Sequence, residues 1–154
     1  MDSPFYKLKS KRKLANLLCV SLDELYSLRK DEGNYSVFEQ LSKKGKARKI
    51  QKPLEKLELV HTRIASLLSR IALPEYLHSG KKKCSNVTNA KAHLNNEKMM
   101  TTDIEAFFPS TTRGMIFSFF FSVMKMSSDV ADVLSHICTC HDRLPTGSRI
   151  DRKS

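Results

Sequence analysis

Residues 103–110 read Asp103-Ile104-Glu105-Ala106-Phe107-Phe108-Pro109-Ser110. The run from Met99 to Ile104 is short, apolar at its ends and bounded, which predicts a buried strand with Asp103 near its close. A carboxylate closing an apolar strand is costly unless a cation or hydrogen bonds compensate it. Placed before a sharp aromatic turn, such a carboxylate suits Mg²⁺ held against a triphosphate, while the adjacent aromatic shapes a sugar pocket. An aspartate that merely caps the next turn is an equal reading of the same spacing.

Downstream, Phe107, Phe108 and Pro109 turn the chain, and Met115 to Met126 is apolar on nearly every side, which predicts a helix buried in a larger assembly. Ser127 or Ser128 opens a further helix through Val130, Val133, Leu134 and Ile137. Cys138, Cys140 and His141 follow; the one-residue gap between the cysteines is too short for the usual zinc spacing, and the cluster reads as a buried helix terminus. Leu144-Pro145-Thr146-Gly147-Ser148 forms a turn before a polar tail.

Upstream, Leu14, Leu17 and Leu18 recur at helical spacing, and Ser21 followed by Glu24 is a capping box for a second short helix through Leu25 and Leu28. Tyr35 to Leu41 alternates, and Lys46 to Gln51 is a second extended stretch stopped by Pro53, so the pair reads as a basic β-hairpin. From Leu54, the residues Leu57, Val60, Ile64, Leu67, Leu68 and Ile71 form one apolar stripe, the clearest amphipathic helix in the chain. His61 on this stripe and His136 in the later helix read as packing or surface residues. Leu77 to Gly80 is a loop, and Asn86 to Asn95 a short polar helix capped by Asn86.

The 154 residues are 40% hydrophobic and 28% charged, enough for one domain around one core. Net charge is +11, of which residues 1–52 carry +7, residues 53–98 carry +4 and residues 99–154 carry none. That excess favours a polyanionic partner, nucleic acid before an anionic membrane surface. No apolar run is long enough to cross a bilayer, and the first residues lack the apolar stretch of a secretory signal, so a cytoplasmic location with reduced thiols at Cys19, Cys84, Cys138 and Cys140 is expected. No P-loop, dinucleotide fingerprint or Gly-x-Ser-x-Gly elbow occurs.

Asp103-Ile-Glu-Ala-Phe-Phe-Pro-Ser110 resembles motif A of bacterial reverse transcriptases, most closely the retron-type group, and Leu144-Pro-Thr-Gly-Ser148 resembles the start of their motif B. Tyr76 to Gly80 and Asn86 to His93 are similar to the segment before motif A, and Arg48-Lys-Ile50 with Pro53 to the fingers hairpin. The resemblance runs over roughly residues 10–148 and implies an α+β, helix-rich, incomplete right-hand polymerase. Its parts would be an N-terminal helical segment (1–34), a fingers-like region (35–98), a partial palm (99–148) and a divergent tail (149–154). The implied activity is RNA-directed DNA synthesis with Mg²⁺, using an RNA template and DNA primer, or a structured non-coding RNA, and deoxynucleotide triphosphates, with no membrane partner. Asp103 would bind the metal and the Ile104 carbonyl would share it. Phe108 would bar the ribose 2′-hydroxyl, Arg48 would touch the triphosphate, and Gly147 would let template and nucleotide approach the backbone.

The sequence departs from that pattern after Ser148, where Arg149-Ile-Asp-Arg-Lys-Ser154 replaces the expected continuation, and no Tyr-x-Asp-Asp occurs. Two divalent ions need more than one carboxylate, so the chain is expected to be inactive alone. The alternative is a non-catalytic, basic nucleic-acid-binding protein.

Overall fold

The computed structural model describes residues 3–41, 45, 47–78, 84–100, 102 and 104–146. The architecture is α+β: seven α-helices, one π-helical turn and a two-stranded sheet among these residues. Helix α1 (Lys11–Leu18) starts where Ser10 accepts a hydrogen bond from the Lys13 amide, and ends on Cys19 in the left-handed conformation. In α2 (Leu22–Ser27) Ser21 and Glu24 exchange the two hydrogen bonds of the expected capping box. Glu24 also pairs with Lys56, tying α2 to the next long helix.

Strands β1 (Tyr35–Leu41) and β2 (Ala47–Pro53) pair antiparallel, with Tyr35 opposite Pro53 and Leu41 opposite Ala47. Pro53 is tolerated because it closes the ladder, where no further donor is required. The Asn34 side chain donates to the carbonyls of Ser27 and Lys30, fixing the point at which the chain leaves α2 and enters β1. Most of the hairpin stands clear of the core: Val37 and Phe38 are exposed, and Leu41 is 73% exposed. The alternating pattern of β1 therefore marks a strand without marking a buried face.

Helix α3 (Glu55–Leu68) buries Leu57, Val60, His61, Ile64 and Leu67, the expected stripe. Helix α4 (Asn86–Lys91) is capped by Ser85 with Thr88 in a reciprocal box, not by Asn86, which is its first residue. The hydroxyl one position earlier satisfies the orphan amide, and the helix closes at Lys91, short of the predicted Asn95.

Met99 to Ile104 is not a buried strand among the described residues. Met99, Met100 and Ile104 are 70%, 87% and 66% exposed, and the sheet contains only β1 and β2. A strand exists only where a neighbour supplies its ladder, and no described segment does so here. Phe107, Phe108 and Pro109 form a one-turn helix, α5 (Phe107–Ser110), entered through Ala106 at a left-handed φ of 51°. Pro109 fits its first turn, where an amide has no intrahelical acceptor.

The predicted helix from Met115 to Met126 divides in two. Helix α6 (Arg113–Ser118) is capped by Thr112, and a π-turn (Phe119–Val123) follows, closed by the Met124 amide on the Phe119 carbonyl at 3.0 Å. Burial is one-sided: Phe120 and Met124 are buried, whereas Met115, Phe121 and Val123 are 59%, 46% and 50% exposed. Three consecutive phenylalanines cannot share one face at helical spacing, so Phe120 points inward, edge-on to Phe5, while Phe121 stacks outside on Phe117. Helix α7 (Ser128–Ile137) buries Val130, Val133, Leu134 and Ile137 as expected.

One core gathers these pieces. Phe5, Leu14, Leu18 and Leu25 from the N-terminal segment meet Leu57, Ile64 and Leu67 of α3 and Phe120, Met124, Leu134 and Ile137 from the later helices. The N-terminal segment is also joined by its backbone: the Lys7 amide donates to Met124, and the Ser127 amide to Leu8.

Candidate functional site

A cleft of about 650 Å³ opens where three stretches meet: Arg48, Lys49 and Gln51 of β2, Glu105 to Pro109 around α5, and Cys140 to Thr146 after α7. The backbone joins them, because the Gln51 amide donates to the Thr146 carbonyl at 2.9 Å and the Leu144 amide to Thr111 at 3.0 Å. Arg48 and Phe108, named separately from sequence, thus line one cavity although 60 positions apart. Phe108 is half-buried, outside the core, and packs edge-on against Phe107 at 5.5 Å. Ile104 is exposed beside this wall. Asp103 and Gly147 lie outside the described residues, as do the lysines at 43, 44, 46 and 81–83.

Of the third wall, the sequence points only to the stretch from Leu144 onward, by its resemblance to motif B; the turn between Cys140 and Arg143 was not singled out as part of a nucleotide site. Cys140 and Arg143 exchange backbone hydrogen bonds of 2.8 and 3.1 Å around His141 and Asp142, both at positive φ, 51° and 58°. This is the two-residue hairpin arrangement that usually demands Asn-Gly, occupied here by residues with Cβ atoms. His and Asp are among the side chains that tolerate this region best, yet the geometry still costs free energy. Contacts from outside hold it: the His141 amide donates to Asp31 at 2.8 Å, Arg113 Nε donates to the Asp142 carboxylate at 2.6 Å, and the Arg113 amide donates to the Asp142 carbonyl at 3.0 Å. The Arg113 guanidinium holds the Asp142 carboxyl below the usual carboxylate range. Cys140-His-Asp-Arg143 carries no local signal for this turn, because the glycine-containing pairs that mark a two-residue hairpin are absent from it.

Asp31, Cys140 and His141 bring one carboxylate oxygen, a thiol and an imidazole nitrogen within 4.8 Å of one another. Burial, reinforced by the Asp31 charge, pushes the Cys140 thiol up to about 11, so the group is held as a neutral thiol beside the turn. Cys138 is buried within the core and pushed up to about 12 by desolvation. All four cysteines are free.

Electrostatically the cleft is cationic: Arg48, Lys49 and Arg143 face one carboxylate, Glu105, among its described lining. Its size and its few convergent polar groups are those of a small-molecule site. No helix among the described residues is long and apolar enough to cross a membrane.

No known family profile matches the chain. The retron Se72 reverse transcriptase of Salmonella heidelberg (strain 579083-10) is 28% identical over 109 residues, covering 70% of this chain and 29% of that protein. The chain therefore spans less than a third of the length of this curated relative. The match supports a distant relationship to a retron reverse transcriptase.

Proposed function

We propose that the cleft is the nucleotide site of a reverse-transcriptase-like polymerase and that the chain contributes its fingers and the first part of its palm. The observation that carries this is the convergence of Arg48 and Phe108 on one cationic cavity, the pair that the resemblance assigns to triphosphate and sugar. The distant relationship to a retron reverse transcriptase supports it, and an RNA template with a DNA primer are the partners it implies.

Phosphoryl transfer is mostly positioning and neutralisation of charge. Arg48, Lys49 and Arg143 supply three cations toward a triphosphate, and the half-buried Phe108 ring sets the space left beside the sugar. The Arg48 fork suits bidentate contact with phosphate oxygens, whereas Lys49 acts as a point charge. Asp103, Glu105 and the Ile104 carbonyl are all-oxygen donors, which suits Mg²⁺; the Asp31, Cys140 and His141 trio, with its sulfur and nitrogen, does not. Asp103 and the Ile104 carbonyl would hold the ion, which when bound would neutralise phosphate charge and lower the pKa of a 3′-hydroxyl. Further carboxylates would be needed to complete a two-ion site.

The test is primer extension on an RNA template with Mg²⁺, run on this chain and on one continued through a Tyr-x-Asp-Asp segment and thumb, each with and without Asp103→Ala. Extension is expected only in the continued chain with Asp103 intact. Extension insensitive to Asp103→Ala would overturn the assignment.

A further inference from the structure

A second cavity, of about 680 Å³, lies between the N-terminal segment and α3, and Lys7, Lys9, Lys13 and Arg63 all line it. We propose that this groove binds the phosphate backbone of a single-stranded nucleic acid, at a site separate from the nucleotide cleft. The two cavities share no lining residue.

The charge pattern carries the argument. Four described cations are matched with carboxylates, Lys11 with Asp129 at 3.4 Å, Arg29 with Asp132 at 2.7 Å, Arg113 with Asp142 at 2.6 Å and Lys56 with Glu24, whereas others, Arg48 and Lys49 among them, form no ion pair among the described residues, so it is convergence on one concavity that distinguishes the groove. Among the described residues no Asp or Glu lines the groove, and none forms an ion pair with Lys7, Lys9, Lys13 or Arg63. Four like charges around one concavity repel one another, and a polyanion relieves that repulsion while releasing its own counterions.

The backbone that carries these cations is held in place. Lys7 has a left-handed φ of 58°, and its amide is bound to the Met124 carbonyl at 2.8 Å. Arg63 Nε is engaged by the Leu17 carbonyl at 2.9 Å, which orients the guanidinium and leaves phosphate contact to its terminal amino groups. Tyr6, also in the lining, is 38% exposed, with the Lys7 ammonium 5.3 Å from its ring centre. An aromatic face among cations is what a strand with stacked bases uses, and a bare phosphate does not. A lipid surface would call for projecting apolar side chains, whereas Leu8 in this lining is buried.

The proposal rests on the reading of the chain as a nucleic-acid protein, and the experiment separates the two. Fluorescence anisotropy of a labelled oligouridylate is followed from about 0.05 to 0.4 M KCl. The proteins are the full chain, Lys9→Gln with Lys13→Gln, Lys9→Arg with Lys13→Arg, and the cleft variant Arg48→Gln with Lys49→Gln. Lys9 and Lys13 are both exposed, and far-UV circular dichroism checks that each variant folds. Each lost single-strand phosphate contact removes about 0.7 from the slope of log K against log salt, or about fivefold in affinity at 0.1 M. The Gln pair is therefore expected to bind about 25-fold more weakly at 0.1 M salt with a slope shallower by about 1.4, and the Arg pair as the parent. Parent-like affinity and slope in the Gln pair, with binding lost in the cleft variant, would overturn the groove while leaving the nucleic-acid reading intact. No binding by the parent chain would overturn both, and tighter binding to vesicles of phosphatidylglycerol than to RNA would replace nucleic acid by a membrane.

Discussion

Lowering the pH should destabilise the protein, with a separable share of the loss passing through His61. It is fully buried on α3, with Nε2 2.7 Å from the Ile137 carbonyl, so Nε2 carries the proton and donates. Burial pushes its pKa down from 6.5 to about 4, only partly opposed by that carbonyl and by Glu58. The unfolded chain therefore binds a proton between pH 6.5 and about 4 that the folded chain refuses. The stability this contributes is complete above pH 6.5, declines as pH falls, and is gone below about 4. At about 1.4 kcal/mol per pH unit the loss is about 3 kcal/mol, a large share of the stability of a small domain.

Glu24 and Asp142, whose carboxyls are held low by Lys56 and Arg113, add acid sensitivity of their own, so the measurement has to be a difference. Urea unfolding followed by far-UV circular dichroism at intervals from pH 7.5 to 4.0, on the parent and on His61→Gln, isolates the histidine. The glutamine retains a donor for the Ile137 carbonyl and does not titrate. The parent is expected to be the more stable protein at pH 7.5 and to lose about 3 kcal/mol more than the variant by pH 4. Parallel stability curves, or an imidazole that titrates near 6.5 by NMR in the folded state, would refute the reasoning.

Two further outcomes follow from the cleft. In a chain continued through a palm and thumb, Phe108→Ala should admit ribonucleotides while retaining part of its deoxynucleotide use, read as the ratio of kcat/KM values; equal loss of both would make the ring structural. Asp31→Ala removes the acceptor of the His141 amide and should cost about 1–3 kcal/mol in urea unfolding. A change below about 0.5 kcal/mol would mean the turn holds itself.

What could be read from sequence was whatever one element decides by itself. The α3 stripe, the Ser21 and Glu24 box, the hairpin, and the helix through Val130 and Ile137 depend on local spacing and capping, and the structure reproduces them. The cleft was half legible: Arg48 and Phe108 were named, but their meeting depends on the chain from Cys140 to Thr146. That wall depends on two left-handed residues without glycine and on Asp31 more than 100 positions away, which no local pattern encodes. The basic groove escaped for the same reason, since Arg63 joins Lys7, Lys9 and Lys13 only once α3 packs beside α1.

The overestimate of burial at Met99 to Ile104 has a definite source. Met99 to Ile104 reads as a buried strand because it is short, bounded and apolar at its ends, yet Met100 and Ile104 are well over half exposed; the exposure of Met115 and Val123, by contrast, accords with a helix that reads as buried in a larger assembly. Periodicity reports which side chains would gain from burial; it cannot report whether a surface is there to cover them. For α3 that surface is supplied by three other segments of this chain, and the prediction holds. For Met99 to Ile104 it would have to be a neighbouring strand, because extended backbone needs external donors and acceptors as well as apolar contact. The same pattern thus yields a buried helix in one place and an exposed segment in the other. The difference lies in the backbone: a helix satisfies most of its own hydrogen bonds before it packs, and a strand satisfies none until it pairs.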